Sequence, residues 1–588
     1  MLVPTQLKPP VRRPFLARVL IFGCGVAIAL GIVLRFTALD RAVYWYDETI
    51  TSIRVAGFTK EAVRSPGPEV LDRLWSPERF TAHFFDLSSE EPKGRGWDKT
   101  LSSLAYENPE QVPLYYLLAR SWATLFGNTP FALRGLSALM GVGLLPVMYA
   151  LVRELGRWVR SLYPDSSSPL SWRTVQWATT GVVALSPIQI LYAREARAYS
   201  LGLLITALST LAFLKALQAT RTRSGNPRAR WILYAASLIV GIYTQLPFLL
   251  VIVTHGIFVG GHRRTQMKSW RSPTPFSRFL GNYIRSCIAT LIAFSPWLYF
   301  ILTYRQQIGW LNRDLSAQVL LQRWLFNLSA VLFDAQLGFR DQPLFDISVN
   351  NGDPVRLIDA PLTAIGIVTI VGLVIASIVW MMRSQPPALW LLPISWVGTV
   401  IPFAALDLLT GGQRSTIPRY FLVAYLGLAM VLGWAIAQFW ENLHRQTSSG
   451  QPRLFQFIYG FASMSLIFSA LSSAYHGTQS DTWWHKYSSY DVPAIAQALT
   501  DTLAPPDPNR STVPDQVLLT SADPLRLLTL TPQLKDGIAL QILSPDAPVS
   551  AEAPPLPNFA YYPPKSWRSL PSQIQQTQFP KLWRRSAS

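Results

Sequence analysis

Three short stretches hold residue types that could do chemistry. The first, Tyr44-Trp45-Tyr46-Asp47-Glu48-Thr49, directly follows the first long apolar run of the chain. Adjacent carboxylates just beyond a membrane exit lie at the height of lipid headgroups. There a carboxylate can take the proton of an attacking hydroxyl, or ligate a cation. The plainer alternative is an interfacial loop with aromatic anchors and solvated acids. If the backbone is extended here, successive side chains alternate, and Asp47 and Glu48 take different roles. The second stretch is Tyr192-Ala193-Arg194-Glu195-Ala196-Arg197-Ala198-Tyr199-Ser200, between two apolar runs. Its arginines can clamp a phosphate through two parallel hydrogen bonds, or pair with Glu195 and fix a turn. The third, Arg414-Ser415-Thr416-Ile417-Pro418-Arg419-Tyr420, reads as a second phosphate clamp or as arginines snorkelling to an interface. Elsewhere the signals are thinner. His83 near Asp86 lacks a third metal ligand, Trp483-Trp484-His485 reads as an interfacial anchor, and Gly411-Gly412 as a turn.

The elements that must hold these stretches are membrane helices. Half of the 588 residues are hydrophobic and only 14% are charged, against roughly 25% in an ordinary soluble protein. So few charges do not cover the surfaces of soluble domains at this length. The net charge of +19 fits basic cytoplasmic loops against anionic headgroups. No basic soluble face accompanies it, so a nucleic-acid partner is not expected. The two cysteines, Cys24 and Cys287, both lie in apolar runs and offer neither a disulfide framework nor a thiolate metal site.

Spanning segments are expected near 16–38, 113–126, 129–151, 173–192, 199–219, 231–245, 246–261, 280–302, 361–382, 388–409, 419–440 and 454–474. The loops with Arg153 to Arg160, Arg221 to Arg230, His262 to Arg278, Arg383, and Arg445 with Arg453 fall inside by the positive-inside rule. The N-terminus is then cytoplasmic. Loops 39–112, 193–198, 303–360 and 410–418, and everything after 475, face outward. One count does not close: between 113 and 153 an odd number of crossings is required. Either 113–126 does not cross, or 129–157 breaks near Pro146. The expected fold is an all-α polytopic membrane protein of about 11–13 helices, carried by residues 1–475. Residues 476–588 form a small outward α/β appendage, with strands at 517–520 and 539–542 around a helical Pro524–Leu530.

In order and spacing these stretches resemble the membrane-embedded glycosyltransferases of the GT-C fold, family 39 type. That family includes protein O-mannosyltransferases, the lipid A aminoarabinose transferase and enzymes that decorate lipopolysaccharide. The matching residues are Tyr46-Asp47-Glu48, Pro113-Leu114-Tyr115-Tyr116, and Phe131-Ala132-Leu133-Arg134 after Phe126-Gly127. Ser186-Pro187 leading into Arg194 to Ser200, and Pro418-Arg419-Tyr420-Phe421, complete the set, which covers roughly residues 15–475. The resemblance implies a polyprenyl-phosphate-linked sugar donor and a catalytic acid at Asp47, with Glu48 beside it. Arg194, Arg197, Arg414 and Arg419 are the candidates for the donor phosphate, and Glu195, Tyr199, Tyr115 and Tyr420 for a structural role or for lining the site. The sequence departs from the family at Gln111-Val112-Pro113, where His-Pro-Pro is common, and at Tyr46, where His is common.

The expected activity is inverting transfer to a hydroxyl of a glycan, lipid or protein, outside a bacterial plasma membrane. No cofactor is established, and a divalent cation is compatible with the acidic pair. The alternatives are a transporter or flippase of lipid-linked saccharides, and a catalytically silent scaffold that presents the tail.

Overall fold

The computed structural model describes residues 15–585 except 72, 88–95, 165–170, 223–224, 267–273, 305–313, 339–353, 448–452, 484–485, 487–488, 504–516, 545–557 and 564–573. Most of these residues are helical. Among the described residues, seven helical segments are long and apolar enough to cross a membrane: Arg18–Phe36, Pro130–Leu162, Tyr199–Thr222, Phe276–Thr303, Pro361–Ser384, Pro387–Thr410 and Leu422–Asn442. The helices Pro227–Thr244, Phe248–Gln266 and Arg453–Gln479, of 18, 19 and 27 residues, stand with them. One large apolar core joins Cys24, Leu151, Trp158, Phe213, Trp396 and Trp434 across the bundle.

Prolines set the breaks. The helix Trp172–Leu185 stops, and Pro187 opens the next, Pro187–Ala193, at a position where a missing N–H costs little. Arg35, at the end of α1 (Phe15–Phe36), supplies donors at this break. Its Nη1 donates to the Ala184 carbonyl at 2.7 Å and its Nη2 to the Val183 carbonyl at 3.1 Å. Pro146 does not break its helix: Pro130–Leu162 runs on for 33 residues. Leu114–Phe126 has 13 residues, about 20 Å of helix against a hydrocarbon core of about 30 Å. The stretch therefore folds as one short helix followed by one long unbroken helix.

The tail forms a sheet with the loop that follows α1. Its strands are β1 (Leu74–Trp75), β2 (Val517–Ser521), β3 (Ile538–Ile542), β4 (Phe559–Tyr561), β5 (Ile574–Gln576) and β6 (Leu582–Arg585), in the order β1-β3-β2-β4-β6-β5. β2 pairs in parallel with β3 and β4, and the helix Pro524–Leu530 lies between β2 and β3 in the chain. β1 comes from the loop after α1 and pairs antiparallel with β3, Trp75 opposite Leu540. Phe58, Phe80 and Phe84 of that loop share one core with Leu519, Leu528 and Leu540 of the tail. The boundary expected at 475 thus runs through a continuous core. A few short strands bury too little surface to stand alone, and the loop supplies the missing apolar face.

Candidate active site

The site begins at α2 (Tyr46–Val55), with Trp45 at its N-cap and Asp47 and Glu48 in its first turn. Two carboxylates there suit the positive end of the helix. The segment is helical, not extended, so adjacent side chains diverge by about 100° around the axis. Asp47 keeps 23% of its side chain exposed, while Glu48 is fully buried.

Asp47 is the point where the three stretches meet. Its Oδ2 lies 3.3 Å from Nη1 of Arg419 and 4.0 Å from Nη2 of Arg197. Arg419 comes from the 3₁₀ turn Pro418–Tyr420, and its guanidinium sits 5.5 Å from the Trp45 ring centre and 5.6 Å from that of Tyr420. Arg197 comes from the bend between Pro187–Ala193 and Tyr199–Thr222. Its Nη1 donates to the Asp47 carbonyl at 3.3 Å and to the Tyr116 hydroxyl at 3.2 Å. The guanidinium lies 5.8 Å from the Tyr199 ring centre. Burial alone would lower its pKa, but Tyr116, Tyr199 and Asp47 hold it well above the usual arginine value. Arg197 is therefore a fixed cation.

Glu48 lies behind this surface, in a buried charge network. Nε and Nη2 of Arg134 donate to its two carboxylate oxygens at 2.8 and 2.7 Å. The Ala196 N–H donates to Oε1 at 2.8 Å. Arg134 also donates to the carbonyls of Leu39, Ala42 and Val43, pinning the chain between α1 and α2. Lys486, from the segment after the last long helix, places Nζ 3.1 Å from Glu195 and 3.8 Å from Glu48. Two buried carboxylates and two buried cations thus balance. The pairing expected between Glu195 and an arginine is instead made with Lys486.

Arg194 and Arg414 are not brought to Asp47. Arg194 is buried, and donates to the carbonyls of Thr37, Ala38, Gly477 and Thr478, so it ties the exits of two helices together. Nη1 of Arg414 donates to Asp407 at 3.0 Å and to the Gly411 carbonyl at 2.9 Å. Asp407 also accepts from the Ser415 amide and hydroxyl, which closes a local knot. Tyr115 is buried beneath the site, its hydroxyl 3.3 Å from Ser137 Oγ.

Among the residues not singled out as site candidates from the sequence, Trp45 flanks Arg419, and Tyr116 bridges Arg197 to Gln111 by hydrogen bonds. Arg134 carries a detectable signal, since a charge inside an apolar run implies a buried partner. Lys486 carries none. His83 sits among the rings of Trp75 and Phe84. Trp483 donates to Asp334 at 2.6 Å, while Trp484 and His485 lie outside the described residues. Among the described residues no three His, Cys, Asp or Glu side chains converge as metal ligands. Asp47 faces two guanidinium groups, whose charge opposes a divalent cation at the same oxygen.

No protein-family model matches the chain, and no curated protein sequence matches it. Similar chain arrangements occur among solved structures. One is the Archaeoglobus fulgidus oligosaccharyltransferase tethered to an acceptor peptide, at 12% identity and a TM-score of 0.43, covering 87% of this chain and 63% of that one. Another is ArnT from Cupriavidus metallidurans bound to undecaprenyl phosphate, at 12% identity and a TM-score of 0.41, covering 88% and 85%. The chain thus spans 63% of the length of the archaeal oligosaccharyltransferase.

Proposed function

We propose that this chain transfers a sugar from a polyprenyl-phosphate-linked donor to an acceptor hydroxyl, with inversion, at the outer face of a bacterial plasma membrane. One observation carries the reading: a partly open Asp47 carboxylate held between Arg197 and Arg419, where α2 follows the apolar helix α1. The acceptor oxygen bonds to the anomeric carbon as the bond from that carbon to the phosphate oxygen breaks. The acceptor's proton passes to Asp47, and the leaving electron pair stays on the phosphate. Polyprenyl phosphate is a good leaving group, so the arginines act by stabilising its growing charge. Without donor they rest on Asp47. A bound phosphate competes for both guanidinium groups and loosens their hold on the carboxylate, which frees its oxygen to meet the acceptor hydroxyl. Attack from the side opposite the phosphate inverts the anomeric centre. Glu48, Glu195, Arg194 and Arg414 support this surface from behind or from beside it.

The test is the fate of a polyprenyl-phosphate donor, labelled in its sugar, incubated with the purified chain in detergent. Appearance of label on an acceptor hydroxyl together with free polyprenyl phosphate is expected. A donor that stays intact would sink the reading and favour transport. For Arg197→Lys and Arg419→Lys we expect donor affinity to fall roughly 10- to 100-fold, because an ammonium cannot reproduce a two-point guanidinium contact. Donor titration of the two variants checks this, and unchanged affinity in both removes the phosphate clamp. The orientation predicts that Lys99→Cys and Lys535→Cys, both at exposed positions, react with an impermeant thiol reagent on intact cells. Protection of both would invert the assigned faces.

A further inference from the structure

On the Tyr46 side of Asp47 the tail and the first outer loop bring further cations together. The Arg526 guanidinium, from the tail helix Pro524–Leu530, lies 4.0 Å from the centre of the Tyr46 ring. Arg64, exposed on α3 (Lys60–Arg64), donates from Nη2 to the Tyr46 hydroxyl at 2.9 Å. The Tyr46 amide donates to Ser489 Oγ at 3.2 Å, so the ring is anchored from both ends. Lys60 lies within electrostatic range of Arg64 and of Asp47. The nearby carboxylates already hold structural partners. Asp523 accepts from the Arg526 amide as a helix cap, and Glu107 accepts from Arg54 and from the amides of Lys60 and Glu61. Two side-chain cations, Arg64 and Arg526, therefore meet at one tyrosine, next in sequence to Asp47. A guanidinium held against an aromatic face has part of its motion frozen in advance, so less entropy is lost when it meets an anion.

We propose that Tyr46, Arg64 and Arg526 form an acceptor subsite for a carboxylate or phosphate carried near the reacting hydroxyl, so that the acceptor is an anionic saccharide. This rests on the transferase reading, in which Asp47 is the base. Arg197 and Arg419 approach Asp47 from one set of elements, and Arg64 and Arg526 approach Tyr46 from another. A donor phosphate and an acceptor anion thus have separate cations. The tail then has a task in specificity, since its Arg526 is delivered to α2 by the sheet that β1 joins to β3. Arg526 and Arg64 are positioning residues: they place the acceptor's hydroxyl toward Asp47 and take no part in proton transfer.

The experiment compares phenyl glucuronide, phenyl glucoside 6-phosphate and neutral phenyl glucoside, using the purified full chain in nanodiscs of phosphatidylcholine. Equilibrium binding of each is measured first, then their competence as acceptors with a polyprenyl-phosphate sugar. At least one anionic glycoside should bind about tenfold or more tighter than the neutral one, and whichever does so tells carboxylate from phosphate. In Arg64→Gln and Arg526→Gln that preference should shrink about tenfold while donor affinity stays unchanged, and Arg526→Lys should restore part of it. Equal binding of all three by the wild-type chain overturns the subsite, as does a preference untouched in both Gln variants. Loss of the preference in phosphatidylglycerol nanodiscs, with the variants losing only lipid binding, would make the patch a headgroup contact and also overturn it. Binding is read without turnover. A preference without sugar transfer from any donor would therefore defeat the transferase reading and leave an anion site standing.

Discussion

Asp47→Asn is expected to lose about 10²–10⁴-fold in turnover while still binding donor. That is the usual span for removing a general base. The amide keeps the size of the carboxylate and its hydrogen-bonding reach, but it cannot accept the acceptor's proton. The arginine partners of Asp47 are 13% and 11% exposed and lie at 4.0 and 3.3 Å, so a thermal-unfolding midpoint is measured beside turnover to separate lost chemistry from lost fold. Donor affinity should stay level or rise slightly, because Arg197 and Arg419 no longer have a competing anion. Turnover and donor affinity are measured on the purified variant. Wild-type turnover would end the assignment of Asp47 as base. Lost donor binding would recast it as the residue that holds the two arginines in place.

The residues around Asp47 were legible from sequence because arginines at helix ends expected to face outward oppose the ordinary charge bias. The spacing did not say which of the four arginines would meet. That depends on where each guanidinium's donors are spent. Arg194 spends its donors on the carbonyls where α1 and the helix Arg453–Gln479 end. Arg414 spends its donors on Asp407 and Gly411, both within seven residues. These carbonyls and the carboxylate become partners only once the helices have packed. The divergence of Asp47 from Glu48 was foreseen, but through alternation along an extended chain. The cause is the first turn of a helix, with a buried Arg134 drawn from another helix. Lys486 had no local signal, because its carboxylate partners lie far upstream in the chain.

The same limit shaped the reading of the fold. The apolar runs announced a helical bundle, but 173–192 was expected as one segment and breaks at Ser186-Pro187, while the break considered near Pro146 is not made. The tail's five-residue strands were visible in their composition. Their partner β1 has two residues, Leu74 and Trp75, too few for any period to show. Without it the tail looked like a separate appendage, and with it the tail and the first loop share a core that ends at the candidate site.

Glu48→Gln is expected to cost about 3–5 kcal/mol of stability, the usual penalty for removing one partner of a buried ion pair. Both side chains are out of solvent, Arg134 at 1% exposure and Glu48 at 0%. The Arg134 charge would remain buried with its two carboxylate contacts weakened, and Lys486 would lose one of its two carboxylates. The Ala196 amide also loses its charged acceptor, so the bend that delivers Arg197 loosens with it. The effect should therefore appear as a lower midpoint of thermal unfolding in detergent and faster amide exchange at 194–198. Turnover per folded molecule should suffer far less than in Asp47→Asn. Arg134→Gln alone should be equally damaging, while the double substitution should cost clearly less than the two single costs together, because no unpaired charge is left. Unchanged stability in Glu48→Gln with turnover as low as in Asp47→Asn would move Glu48 from the supporting network into the chemistry.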